Sequence, residues 1–113
     1  MARLNYVELP VGDIAASRAF FEAAFGWNLT AFGPSYAATE GRGTDLGLQA
    51  DPSEATAAPL PVIEVDDIVA ALAKVEASGG TITRPPFDFP GGRRFHFREP
   101  SGCELAVTQM ADH

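Results

Sequence analysis

Val11-Gly12-Asp13-Ile14 and, 54 positions later, Val65-Asp66-Asp67-Ile68 are the two stretches from which the fold can be read. The match continues beyond them. Ala16, Ala19, Glu22, Ala23 and Gly26 fall on Ala70, Ala73, Glu76, Ala77 and Gly80, so eight of the sixteen positions from Val11 to Gly26 are identical to their partners. Three of the pairs are alanines, which low complexity could supply. The shared Val-x-Asp-Ile and the shared glycine at the end of each copy point instead to an internal repeat.

Each copy predicts strand, turn and helix. Upstream of the first, Val7, Leu9 and Val11 alternate with Tyr6, Glu8 and Pro10, the period-2 pattern of a half-buried strand. Asp13 stands where an N-cap belongs, its carboxylate able to accept from the first unpaired helical amides. Ile14, Ser17, Phe21, Ala24 and Phe25 then follow at helical spacing, and Gly26 ends the helix. In the second copy Ile63 and Val65 precede the N-cap Asp67. Ile68, Ala71, Leu72 and Val75 form the stripe, and Gly79-Gly80 stops it.

Short β-leaning runs follow each helix, at Trp27 to Phe32, Tyr36 to Thr39 and Thr44 to Ala50, then at Thr81 to Arg84, Arg93 to Arg98 and Cys103 to Thr108. Gly33-Pro34-Ser35, Gly41-Arg42-Gly43, Pro90-Gly91-Gly92 and Pro100-Ser101-Gly102 read as the turns between them. Asp51 to Pro59 reads as a linker. The expected organisation is a single domain over residues 1–113, with modules at about 4–50 and 60–110 and the linker at about 51–59. Neither half is large enough to stand as a separate domain.

The chain has 113 residues, one domain's worth, of which 46% are hydrophobic and 20% charged, a globular balance. A formal net charge of -7 argues against phosphate backbones as partners, so no nucleic acid is expected. No apolar run approaches bilayer length, and Met1-Ala2-Arg3-Leu4-Asn5 lacks a signal-peptide core. The single cysteine, Cys103, has no intramolecular disulfide partner, which fits a reducing compartment. The expectation is a soluble cytoplasmic protein without a membrane partner.

Three segments carry a resemblance to a known family. They are Tyr6-Val7-Glu8-Leu9-Pro10-Val11-Gly12-Asp13 running into Phe20-Phe21-Glu22 and Phe25-Gly26-Trp27; Val65-Asp66-Asp67-Ile68 with Gly79-Gly80; and Phe97-Arg98-Glu99-Pro100-Ser101-Gly102 followed by Glu104-Leu105. From Tyr6 to Gln109 the chain resembles the vicinal oxygen chelate superfamily, which includes glyoxalases, bleomycin-resistance proteins and extradiol dioxygenases. The resemblance implies an α+β fold of two tandem βαβββ modules whose curved mixed sheets form a cup for a small ligand, and a homodimer. It also implies a metal held by four side chains, a pair from each half. Carried over residue by residue, that set fails. The first-strand ligand falls on Tyr6, its repeat counterpart on Leu60 and the last-strand carboxylate on Ala106. The fourth lies within residues 44–50, where Thr44, Asp45 and Gln49 carry oxygen. Leucine and alanine offer a divalent ion no donor, so neither a metal nor any other cofactor is expected.

If the positions that the resemblance implies, Tyr6, Leu60 and Ala106, face the cup, strand parity gives the candidate ligand-cavity residues: Tyr6 and Glu8 on the first strand, Val62 on its repeat counterpart, and Glu104, Ala106 and Thr108 on the last. Glu8 and Glu104 could serve as an acid/base pair, or sit at a rim paired with Arg94 or Arg98. His96 completes the set. It shares one strand face with Arg94 and Arg98, against Arg93, Phe95 and Phe97 on the other, and parity does not say which face lines the cup. The arginines could grip an anion or form surface ion pairs. Phe20, Phe21, Phe25 and Trp27 are expected in the core, Cys103 as a half-buried inert thiol, and Phe32, Tyr36, Phe87 and Phe89 as aromatics near turns that could line the cup. His113 is terminal.

The leading functional expectation is a glyoxalase/bleomycin-resistance-like small-molecule-binding protein without a catalytic metal, its ligand unnamed. The alternatives are a metal-independent lyase or isomerase acting on an oxygenated small molecule, and a non-catalytic interaction subunit. The sequence names no reaction.

Overall fold

The computed structural model describes residues 2–41 and 43–111, so Met1, Arg42, Asp112 and His113 lie outside the described residues. The chain forms two compact units, one of Tyr6–Leu60 and one of residues 61–111 with residues 2–5.

The first module runs β1 (Arg3–Pro10), α1 (Ile14–Phe25), β2 (Leu29–Ala31), β3 (Tyr36–Thr39) and β4 (Asp45–Gln49). Its strands lie in the order β2-β3-β4-β1. β2, β3 and β4 are antiparallel neighbours, and β4 closes on β1 in parallel, Glu8 beside Gly47. The second module repeats this with β5 (Leu60–Glu64), α2 (Ile68–Ala77), β6 (Thr81–Phe89), β7 (Gly92–Arg98) and β8 (Glu104–Met110). Its order is β6-β7-β8-β5, with β5 parallel to β8 and Val62 beside Ala106. The α+β fold of two βαβββ modules with mixed strand pairing is therefore present.

The helix ends follow their capping chemistry. Asp13 accepts from the Ala16 amide at 3.1 Å, and Asp67 from those of Val69 and Ala70 at 3.1 Å each. Gly26 closes α1 in the left-handed region at φ 69°, where a Cβ would be strained. α2 ends two residues earlier in its copy, at Ser78, with Gly79 at φ 97° behind it. The Gln109 side chain accepts from the Ile68 amide at 2.8 Å and ties the start of α2 to β8.

Each helix covers one face of its own sheet. Under α2, Ile68, Phe95, Phe97 and Val107 form a buried cluster, joined by Ile63, Val65, Ala71, Leu72 and Val75. Under α1 the cluster is Leu29, Ala37 and Leu48, with Leu9, Val11, Ile14 and Phe21 against it. A buried side chain of this kind stabilises by about 1.5–3 kcal/mol. A one-residue slip of β7 and β8 would turn Phe95, Phe97 and Val107 outward together, so the register is strongly specified. The strand residues of opposite parity then occupy the face turned away from the helix.

Three sequence expectations need correction. Phe21 packs on the core, but Phe20, Phe25 and Trp27 are 59%, 60% and 43% exposed. Phe20 lies about 100° round the helix from Phe21, and Phe25 is the last helical residue, where it stacks on Trp27 at 5.2 Å. Cys103 is exposed rather than half-buried. β6 does not stop at Arg84 but runs through Pro85 and Pro86 to Phe89. Proline is tolerated there because β6 is the edge strand of its module, and the register shifts between Arg84 and Phe87. The linker opens as a turn, with Asp51 accepting from the amide and hydroxyl of Ser53 at 3.0 and 2.7 Å. Among the described residues no helix is long and apolar enough to cross a membrane.

Candidate functional site

In the first module the helix-free face carries Tyr6 and Glu8 from β1, Tyr36 from β3 and Gly47 from β4. Glu8 is only 3% exposed, and its Oε1 accepts the Tyr36 hydroxyl proton at 2.9 Å. The Tyr6 and Tyr36 hydroxyls are hydrogen-bonded to each other. Burial, followed by the charge of Glu8, pushes the Tyr36 phenol well above its ordinary range, so Tyr36 stays protonated and remains a donor. Gly47 makes this arrangement possible, because a Cβ at that position would overlap the hydroxyls of both tyrosines.

In the second module the face away from α2 carries Arg94, His96, Glu104, Ala106 and Thr108. The buried cluster under α2 holds Phe95, Phe97 and Val107 on the opposite face, which settles the parity that the sequence left open. His96 is 2% exposed. Its Nδ1 lies 3.1 Å from Glu104 Oε2, and its Nε2 accepts from Arg94 Nε at 3.0 Å. The Thr83 hydroxyl donates to the same Glu104 oxygen at 3.2 Å. Phe87, opposite Arg94 in the register, has its ring centroid 6.0 Å from that of His96 and the Arg84 guanidinium 3.8 Å above it. Burial, helped by Arg94, holds the His96 imidazole below its ordinary value, while Glu104 opposes this.

The structure thus brings Tyr6 together with Glu8 in one module and His96 with Glu104 in the other. Val62 and Ala106 are neighbours in the β5–β8 register, 3% and 0% exposed, and Thr108 is 7% exposed beside Arg94. Glu104 is engaged by His96 and Thr83, while Arg98 donates to the Gly102 carbonyl at 2.9 Å. Sequence reasoning treated Tyr36 and Phe87 only as aromatics near turns, and it omitted Arg84 and Gly47. A glycine between Leu46 and Leu48 in a strand was a usable signal, since it marks close approach. A hollow of about 460 Å³ in the first module is lined by Val7, Trp27, Thr39, Asp45 and Leu46, and contains none of these clusters.

The register also locates the fourth ligand position implied by the resemblance. Ala106 stands beside Val62, and Val62 is the repeat counterpart of Glu8, so the matching residue of the first module is Gly47. Thr44 lies outside β4. Asp45 accepts from the Thr39 hydroxyl at 2.8 Å and the Gly41 amide at 2.7 Å, and Gln49 from the Asp51 amide at 3.0 Å. Tyr6 and Gly47 in one module, and Leu60 and Ala106 in the other, leave one neutral phenol as the only side-chain donor. These residues do not fit a divalent ion.

Two outcomes test this geometry. Gly47→Ala should destabilise the protein by about 1–3 kcal/mol in urea unfolding, because the new methyl displaces the tyrosine pair; wild-type stability would show that the hydroxyls do not meet over Gly47. For His96, the ordinary imidazole value is 6.5 and the native value is lower. Between the two, the unfolded chain binds more protons than the folded one, so stability falls as pH drops through that window. Unfolding free energies measured from neutral pH downward should therefore fall more steeply for wild type than for His96→Gln. Parallel curves would contradict a buried, neutral His96.

Comparison with known proteins agrees with the fold. The model of the Glyoxalase/Bleomycin resistance protein/Dioxygenase superfamily matches residues 3–107. The "Putative glyoxylase CFP32" of Mycobacterium bovis is 28% identical over 125 aligned residues, covering 96% of this chain and 46% of that protein. The chain thus spans about half the length of the curated relatives it matches. A glyoxalase/bleomycin resistance protein/dioxygenase superfamily member from Vibrio splendidus 12B01 superposes with a TM-score of 0.71 at 19% identity, covering 98% of this chain and 100% of that one. Methylmalonyl-CoA epimerase from Mycobacterium tuberculosis superposes with a TM-score of 0.74 at 15% identity, covering 96% and 88%. At such identities the structural likeness is one of fold. With the family model matching nearly the whole length, the chain belongs to the glyoxalase/bleomycin resistance protein/dioxygenase superfamily.

Proposed function

We propose that this chain is a small-molecule-binding member of its superfamily that works without a coordinated divalent ion. The observation that carries this reading is the set Tyr6, Gly47, Leu60 and Ala106, with the Tyr6 and Tyr36 hydroxyls filling the space over Gly47 where a ligating side chain would start. The helix-free faces still offer what a ligand site needs, apolar surface with a few oriented polar groups. The reading includes a cytoplasmic protein that pairs with a second copy of itself. One sample, purified without chelator, tests the metal and the pairing together. Elemental analysis should find no stoichiometric metal, divalent ions should leave the melting temperature unchanged, and light scattering should give twice the chain mass. A bound metal at one per chain would overturn the metal-free reading, and a monomer mass would overturn the pairing.

A second reading, a metal-independent isomerase or lyase, draws on the buried Glu8 carboxylate and its hydrogen bond to Tyr36. A carboxylate shielded from water beside a phenol donor can take a proton from carbon while the phenol steadies the developing oxyanion. The fold shared with methylmalonyl-CoA epimerase suggests the probe. In deuterated water, methylmalonyl-CoA should exchange its α-proton faster with wild type than with Glu8→Gln. Exchange at the blank rate with wild type would remove this reading.

A further inference from the structure

Past the C-terminal end of α1, the sheet of the first module is left open on its helix side. Val7 and Leu46 are neighbours in the β1–β4 register. They share the parity of Leu9 and Leu48, which pack under α1, and so face away from Glu8 and Gly47. α1 stops at Phe25, and Gly26 turns the chain back. Trp27 then stacks on Phe21 at 5.5 Å and on Phe25 at 5.2 Å, which fixes the indole beside the open strands. The hollow of about 460 Å³ lies here, lined by Val7, Leu46 and Thr39 from the strands, by Trp27, and by Glu40 and Asp45.

The second module shows why this space exists and what it lacks. Ala38 stands beside Gly47 as His96 stands beside Ala106, so Thr39 is the counterpart of Phe97. Phe97 is buried against α2, and the hollow at that end measures only about 270 Å³. Lys74, in the last turn of α2, lines that smaller hollow together with Glu99. The residue 54 positions before Lys74 is Phe20, and the last turn of α1 carries no basic side chain. One module therefore supplies its own ammonium beside a carboxylate. The other keeps two acidic residues at the negative end of its helix and, among the described lining residues, has no cation.

Asp45 is already oriented. Its Oδ1 accepts from the Thr39 hydroxyl at 2.8 Å and the Gly41 amide at 2.7 Å, while the Thr39 oxygen accepts from the Leu46 amide at 3.0 Å. Among the described residues, neither Asp45 Oδ2 nor the Glu40 carboxylate has a partner. A carboxylate held through one oxygen can accept an N–H on the other with little further ordering. An indole face is itself attractive to a cation.

We infer that this hollow binds a small organic ammonium ion, its apolar body against Val7, Leu46 and Trp27 and its charge at Asp45 and Glu40. The site is on the opposite face of the sheet from Glu8 and Tyr36, so it does not depend on the metal-free reading of that face.

Trp27 is the chain's one tryptophan, so its fluorescence reports on the site directly. The test titrates the full chain with phenethylammonium, with phenethyl alcohol as the neutral isostere and phenylacetate as the anion. Phenethylammonium should change the Trp27 emission saturably and raise the melting temperature, and the other two should do neither at the same concentration. Asp45→Asn should weaken the ammonium by about tenfold, and Glu40→Gln by about twofold to fivefold because Glu40 is exposed. Thr39→Phe, which restores the side chain that Phe97 provides in the second module, should abolish the response in a protein that still melts cooperatively. If Thr39→Phe does not fold, the exposed Glu40→Gln decides the question. An equal response to phenethyl alcohol would overturn the cation assignment. No Trp27 response to phenethylammonium in wild type, or undiminished affinity in Asp45→Asn and Glu40→Gln, would overturn the site.

Discussion

A four-stranded sheet with a single helix has one face it must bury and one it can use. Phe95, Phe97 and Val107 lock β7 and β8 to α2, and Leu29 and Leu48 lock β2 and β4 to α1. Strand geometry then sends every alternate residue to the other side. Glu8, Tyr6 and Tyr36 gather in one module, and Arg94, His96 and Glu104 in the other, because their neighbours in sequence are taken up by the helices. Chemistry in this protein is the complement of its core.

The two modules have diverged on those faces while keeping their cores. Equivalent positions hold Tyr6 and Leu60, Glu8 and Val62, Gly47 and Ala106. In the first module the parallel pair β1–β4 carries the polar groups, with a glycine making room for two phenols. In the second the parallel pair β5–β8 is apolar at the same level, and the charged groups have moved to the antiparallel side, on β6, β7 and the start of β8. Such a division suits an acidic, buried hydrogen-bond chain in one module and a cationic, ring-backed one in the other. Both networks keep their polar groups partnered, which a buried network requires if it is not to cost stability.

Misreadings of the sequence have local causes. Aromatic residues crowd the end of α1, and hydrophobicity placed all of them inside, yet a helix offers its sheet only one stripe and Phe20 is off it. The sequence reading ended this strand at Arg84, just before two consecutive prolines. An edge strand has one side free of ladder bonds, so Pro85 and Pro86 fit there, and the longer strand is what brings Phe87 opposite Arg94.

The repeat, the N-cap aspartates, the glycine stops and the strand alternation were all legible along the chain, because each depends on residues within a few positions of one another. That Leu60 and Ala106 carry no donor atom in their side chains is likewise a matter of residue identity. Which face of β7 carries His96, which residue stands at the fourth ligand position, and which partner each carboxylate takes depended on packing across strands. Tyr36 meets Glu8 over 28 residues, and Glu104 meets Thr83 over 21. Contacts of that span are set by sheet register and by the helix that buries the opposite face, and no local pattern encodes them.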